Sequence, residues 1–214
     1  RTVGASEREV EAWLVAVLER WRDATAGPAI EPWDYWHAHT RASHALDGDA
    51  APERIPELLR RFYLDLGADL DALGVRHDFG VRPGKAPLSY TDFVRIGRVV
   101  GGRWRPALIR VSANVEQGGL FVLNEMIHED GHAVHMAAVR TRPAYFDLGD
   151  DLFVEAFADV TSWSVAEPAW QLRYLGRAAD ESGSLEALYA SVMLDVAWGL
   201  FELRMLHAPD ADPN

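Results

Sequence analysis

Residues 120–140 read LFVLNEMIHEDGHAVHMAAVR, an apolar stretch at helical spacing that carries three histidines and two adjacent acids at its centre. Leu120, Leu123, Met126, Ile127 and Val134 recur at the spacing of a helix face. Within it, IHEDGHAVH (residues 127–135) contains neither proline nor cysteine. It reads either as a polar helix rich in histidine or as a metal site, and the rest of the chain bears on the choice.

His128 and His132 are four apart, about 400° of helical rotation, so they share one face with one turn of rise between them. Both imidazoles can reach one ion. Glu129 projects about 60° to one side of His132, where it can hold a water without being a ligand. This is the H-E-x-x-H arrangement, mechanically two zinc ligands and a general base. Histidines on an otherwise apolar helix sit in a partly buried setting and need a partner there.

A catalytic zinc takes three protein ligands and keeps an open position. His135, Glu155 and a group elsewhere are the candidates for the third. His135 lies seven residues from His128, about 10 Å along the axis, which favours a second-shell or packing role. Glu155 follows His132 by 23 residues, enough for a turn at Pro143 and an antiparallel return, and Asp159 stands four residues further in EAFAD. Asp159 can then accept from the far nitrogen of a ligand histidine. Both acids could instead form a solvated face, although Leu152, Phe153, Ala156, Phe157 and Val160 leave little of that helix polar. Gly131 costs roughly 0.5–1 kcal/mol in a helix and implies close approach of a second helix or of a substrate backbone.

Near the N-terminus, Ser6 and Glu9 form a capping box ahead of Val10, Trp13, Leu14, Val17, Leu18 and Trp21, a first helix that runs to residues 26–28. A second is expected from Pro32 in EPWDYWHAH, with Trp33 and Trp36 in the core, and a third in PELLRRFYLDL with Leu58, Leu59, Phe62, Tyr63 and Leu66 on one side. Between residues 75 and 113 glycines and prolines cut the chain into short β-like runs such as SYTDFVRI and PALIRVSA. They predict a small antiparallel sheet. A helix over DDLFVEAFADVTSWSV, a short one after Pro168 and a long last one capped by Ser184 complete the chain. The expected fold is mainly α with one inserted sheet: residues 1–74 helical, 75–114 sheet, 115–214 the histidine-bearing and C-terminal helices, in a single domain or part of one.

The 214 residues have an ordinary globular composition, 49% hydrophobic and 25% charged. A net charge of −12 disfavours nucleic acid unless a local basic patch overrides it. With no cysteine, disulfides, thiolate zinc sites and thiol catalysis are excluded, and a metal must use His, Asp or Glu. No apolar run approaches the roughly 18–20 residues of a membrane span and no signal peptide is evident, so a cytoplasmic protein is expected. The chain begins at Arg1 and not at Met, as a processed or truncated product would.

HEDGHAVH resembles the H-E-F-G-H-A-L-H of the thimet oligopeptidase and oligopeptidase F family of gluzincin metallopeptidases, with FVEAFAD where that family has its Glu-bearing F-V-E-A-P-S-Q. EPWDYW is similar to its W-D-x-x-Y-Y, HDFGVRPGKAP to its D-x-y-x-R-x-G-K, and ALIRVSANVEQGG to the strand and Asn that precede its zinc helix. EAFADVTSWSVAEP is closer to the angiotensin-converting-enzyme family, another gluzincin group. The similar segments spread over about residues 31–170, and only the zinc motif with its Glu is highly specific.

The resemblance implies a helical zincin-like core with a deep channel, one zinc per chain, His128, His132 and Glu155 as ligands, Glu129 as general base, and hydrolysis of short unstructured peptides. It also marks a departure: those families use downstream His and Tyr residues as donors to the substrate carbonyl and oxyanion, and residue 214 falls short of such a segment. The chain is then a catalytic-core fragment or a compact member that takes donors from Tyr189, His207, His37, His39 or His44. Arg82 and Lys85 are open between substrate contacts and plain turn charges, and PALIRVSA is expected to take an extended peptide by edge pairing. A peptidase-like protein that binds zinc or peptide without turnover is the alternative function.

Overall fold

The structure, a computed structural model, describes residues 4–24, 46, 48–140, 151–179 and 181–207. The chain forms two compact units, Arg1–Ala42 with Ser182–Asn214, and Ser43–Glu181. It is mainly α with two small sheets.

In the first unit, helix α1 (Glu7–Ala24) opens on the reciprocal cap its sequence predicts. The Ser6 backbone N–H donates to Glu9 Oε2 at 2.8 Å and the Glu9 N–H to Ser6 Oγ at 3.3 Å, which satisfies two of the donors a helix start leaves open. Its Leu14 packs with Met193, Val196 and Leu200 of the last helix, α6 (Glu181–His207), with Val10, Leu18, Trp21 and Tyr189 around them. That helix begins three residues before Ser184, which is 3% exposed inside its first turn. The helix expected from Pro32, with Trp33 and Trp36, lies outside the described residues.

In the second unit, α2 (Ile55–Asp65) buries Ile55, Leu58, Leu59, Phe62 and Tyr63, while Leu66, expected on the same side, is exposed beyond the helix end. Strands β1 (Val75–Asp78), β2 (Tyr90–Arg95) and β5 (Leu108–Ser112) form one sheet in the order β1-β5-β2, and β3 (Arg98–Val100) pairs with β4 (Arg103–Arg105) in a separate hairpin. The expected antiparallel sheet is corrected in one pair: β5 runs antiparallel to β2 but parallel to β1. A parallel pair requires a long crossover. Here residues 79–107, which include β2 and the hairpin, supply it without the helix that usually advertises one. A second correction follows, because β5, the strand inside PALIRVSA, is central and both of its edges are already paired. It has no edge to offer a peptide.

Helix α3 (Leu120–Ala138) lies between this sheet and helix α4 (Asp151–Ser162). Its start depends on two glycines, Gly118, where a Cβ would run into the Ala50 carbonyl, and Gly119. Gly119 adopts φ 101°, a left-handed value that other residues reach only with strain, and its N–H donates to the Ala50 carbonyl at 3.1 Å. Ile109 and Val111 of β5 and Leu123, Met126 and Ile127 of α3 form a fully buried core. Tyr63 of α2 donates to the Ile127 carbonyl at 2.5 Å and lies 3.2 Å from Thr161 Oγ1 of α4, which ties three helices together. After α4 the chain takes a 3-10 turn, Trp163–Ala166, and then α5 (Pro168–Leu175).

Gly131 is where α3 and α4 meet. A Cβ there would stand 2.9 Å from Ala158 Cα and 3.0 Å from Thr161 Oγ1, so helix packing, not substrate approach, accounts for the glycine. Gly131→Ala is expected to force the helices apart and to destabilise this unit by about 1–3 kcal/mol despite the better helix propensity. Urea unfolding of the two proteins measures it; an unchanged midpoint would mean the helix pair slides without cost.

Candidate metal centre

Helix α3 presents His128 and His132 on one face, and the packing at Gly131 sets the distance of α4. The two Nε2 atoms come within 2.9 Å of one another. Glu155 Oε2, from α4, lies 3.4 Å from each of them. His128, His132 and Glu155 thus form a group that could hold a metal ion, among the described residues the one such cluster of three or more. Two ligand atoms come from adjacent turns of one helix and the third from its antiparallel neighbour. Burial differs: His132 is 9% exposed and the Glu155 side chain 61%.

Asp159, one turn beyond Glu155, accepts from His128 Nδ1 at 2.9 Å. With the proton held on Nδ1, the Nε2 lone pair is turned toward the cluster. Burial works against a charged His128, but the hydrogen bond and charge of Asp159 outweigh it and hold its pKa above the ordinary value. His132 goes the other way, lowered by burial and by the neighbouring His128. Removing the Asp159 carboxylate frees the His128 ring to turn, so Asp159→Asn should weaken metal affinity about 10–100-fold. Competition with a calibrated chelator reads this directly, and equal affinities would show that the ring is held by packing alone.

Glu129 is 7% exposed. Burial raises its pKa above the usual carboxylate range, Glu125 and Glu155 add to this, and the Thr91 hydroxyl, 2.6 Å from Oε2, pulls the other way. The same hydroxyl lies 2.8 Å from the Glu129 carbonyl. Strand β2 therefore fixes this side chain from its edge of the sheet. Sequence reasoning missed Thr91, although an inward polar residue in the alternating run SYTDFVRI is a signal of such a contact.

It also missed His77. Asp130, between Glu129 and Gly131, is fully buried, and its Oδ1 lies 2.8 Å from His77 Nε2 on β1, whose ring stacks on Phe79 at 4.8 Å. Burial raises the Asp130 pKa, and the hydrogen bond and charge of His77 act against that rise. The signal was an acid on the buried side of an apolar helix, where the resembled family has Phe. A buried carboxylate needs a partner.

The remaining candidates fall elsewhere. His135 packs its ring against Phe153 and Phe157, at 5.7 and 5.8 Å. Arg82 pairs with Asp78 at 2.7 Å. Lys85 Nζ, on a side chain only 3% exposed, donates to the carbonyls of Asp78, Gly80 and Ala113 at 2.6, 3.0 and 2.6 Å. Both are engaged in holding the loop after β1. Tyr189 packs in the first unit's core and His207 pairs with Glu7 at 3.2 Å. His37, His39 and His44 lie outside the described residues. No helix among the described residues is long and apolar enough to cross a membrane.

No protein-family model matches the chain, and no curated protein matches it, so what can be said of this centre rests on its residues and their geometry.

Proposed function

We propose that the chain is a zinc-dependent peptidase with a gluzincin-like centre, in which His128, His132 and Glu155 hold the ion and Glu129 is the general base. The observation that carries this reading is the convergence of two Nε2 atoms and one carboxylate oxygen beside a buried, hydrogen-bonded glutamate. Two histidines with one carboxylate form a donor set of catalytic zinc. Ligands of a tetrahedral zinc at 2.0–2.1 Å stand about 3.3 Å apart; the two carboxylate separations here are 3.4 Å and the nitrogens, at 2.9 Å, need open by only a few tenths.

A zinc ion there would supply Lewis-acid polarisation of a carbonyl and of a water. The chain's own residues do the rest. Glu129 Oε accepts the proton of the attacking water and returns it to the leaving amine. Thr91 keeps that carboxylate oriented while its backbone strand, an edge of the sheet, offers unpaired groups along which an extended peptide can lie. That edge takes the place of the PALIRVSA strand as the peptide-binding candidate. Asp159 holds the Nδ1 proton of His128 and so fixes the ring.

The test is metal content and turnover of the same preparation. About one zinc per chain by mass spectrometry, with cleavage of a quenched fluorescent peptide library that a chelator abolishes and zinc restores, is the expected result. Zinc without cleavage would make the chain a metal-binding protein of this architecture, and neither would end the metal reading.

A further inference from the structure

Charge is distributed very unevenly along this acidic chain. Residues 75–110 carry eight Arg and Lys against two Asp and no Glu, a net of +6 in a protein whose total is −12, so the remainder holds −18. Several of the eight are internally engaged: Arg82 and Lys85 by Asp78, Arg95 by the Pro106 carbonyl, and Arg110 by Tyr90. Three are not. Arg98, Arg103 and Arg105 are exposed on the β3–β4 hairpin, and among the described residues none of them has an acidic partner.

The register makes this a directed patch. Arg98 stands directly across from Arg105, and Arg103 across from Val100, so all three guanidiniums project from one face of the hairpin. Like charges directly opposed across two strands repel, and an anion seated between them relieves that repulsion. The other face is occupied: Trp104 lies against Gly97, where a Cβ would meet its ring at 2.6 Å, and the Arg140 guanidinium stands 5.9 Å from the Trp104 ring. Arg140 follows the end of α3, so the inner face of the hairpin is seated beside the C-terminal end of the histidine-bearing helix.

The hairpin also continues directly from β2. Only Ile96 and Gly97 separate Arg95 from Arg98, and Thr91, which holds Glu129, is seven residues before Arg98. At about 3.3 Å per residue Arg98 is no further than roughly 23 Å from Thr91 along the chain, with Arg105 directly across from it. We infer that Arg98, Arg103 and Arg105 select peptides that carry acidic residues on one flank, about five to seven residues from the cleaved bond, a specificity that rests on the peptidase reading above. A peptide extended along the edge of β2 has its backbone held there and its acidic flank delivered to the three guanidiniums, where carboxylates are bound bidentately.

The experiment takes a peptide that the protein cleaves and extends each end in turn with three Glu or three Gln. For one of the two ends, the Glu form is expected to exceed the Gln form in kcat/KM by about five- to tenfold at low salt, through KM, and to approach it at about 0.5 M salt. Changing the three arginines to Gln should abolish the difference with zinc content retained, and changing them to Lys should keep most of it. No difference in the wild type at either end, or a difference that survives the Gln variant, overturns the proposal. Binding of the labelled Glu peptide by fluorescence anisotropy, compared between wild type and Gln variant, reads the patch without turnover. Failure of zinc binding or hydrolysis alone is thereby told apart from failure of the patch. A labelled oligonucleotide of equal charge that binds the patch more tightly would replace the peptide assignment.

Discussion

Glu129→Gln is expected to leave about one zinc bound per chain while lowering peptide hydrolysis by about 10²–10⁴-fold, the usual contribution of a positioned general base. The substitution is close to isosteric. Its carbonyl oxygen can still accept from Thr91, which donates to Glu129 Oε2 at 2.6 Å, so the side chain stays where β2 holds it. What is lost is the ability to take a proton. Burial raises the Glu129 pKa toward neutrality, which makes it a stronger base than an exposed glutamate. The loss should therefore appear in kcat, with KM changed little, because no contact to the peptide is removed. Turnover in stopped assays, beside zinc content on the same protein, checks both halves. A variant that retained wild-type kcat would show that another group takes the proton, and a variant that lost zinc would show that Glu129 supports the ion and not the chemistry.

The parts of this architecture legible in the sequence are those fixed by local rules. The α1 cap is a three-residue exchange between Ser6 and Glu9, and the histidine pair needs only helical spacing to share a face. Glu155 was legible for a different reason: the length from His132 to Glu155 suits an antiparallel return, whereas Gly131 in sequence left helix packing and substrate approach both open. Contacts that join distant segments were not legible. His77 and Asp130 are 53 residues apart and Thr91 and Glu129 are 38 apart, and nothing in either local pattern names the partner. The sheet order was hidden likewise, because β5 takes one neighbour from before the crossover and one from within it. The α6 start failed in the opposite way. Ser184 is a good capping residue in sequence, yet it is buried within the helix.

Glu155→Ala should reduce zinc affinity by more than the about 10–100-fold expected for loss of an outer partner such as Asp159, because it removes one of three donor atoms. Glu155 is also the informative one of the three proposed ligands. His128 and His132 would share a face on any helix of this sequence, whereas the Glu155 oxygen reaches 3.4 Å from both nitrogens only if α3 and α4 pack as Gly131 allows. Its side chain is 61% exposed, so truncation should cost the metal-free protein little, and folding and metal binding can be read separately. Thermal unfolding with and without zinc does this. A ligand at 100 times its dissociation constant stabilises the wild type by about 2.7 kcal/mol, and the variant at the same concentration should gain about 1 kcal/mol or less. Glu155→Asp, whose carboxylate is withdrawn by one methylene, should fall between them. If the Ala variant is stabilised as much as the wild type, the third ligand lies elsewhere. Metal-free unfolding midpoints that differ strongly would instead assign Glu155 to the helix pair itself.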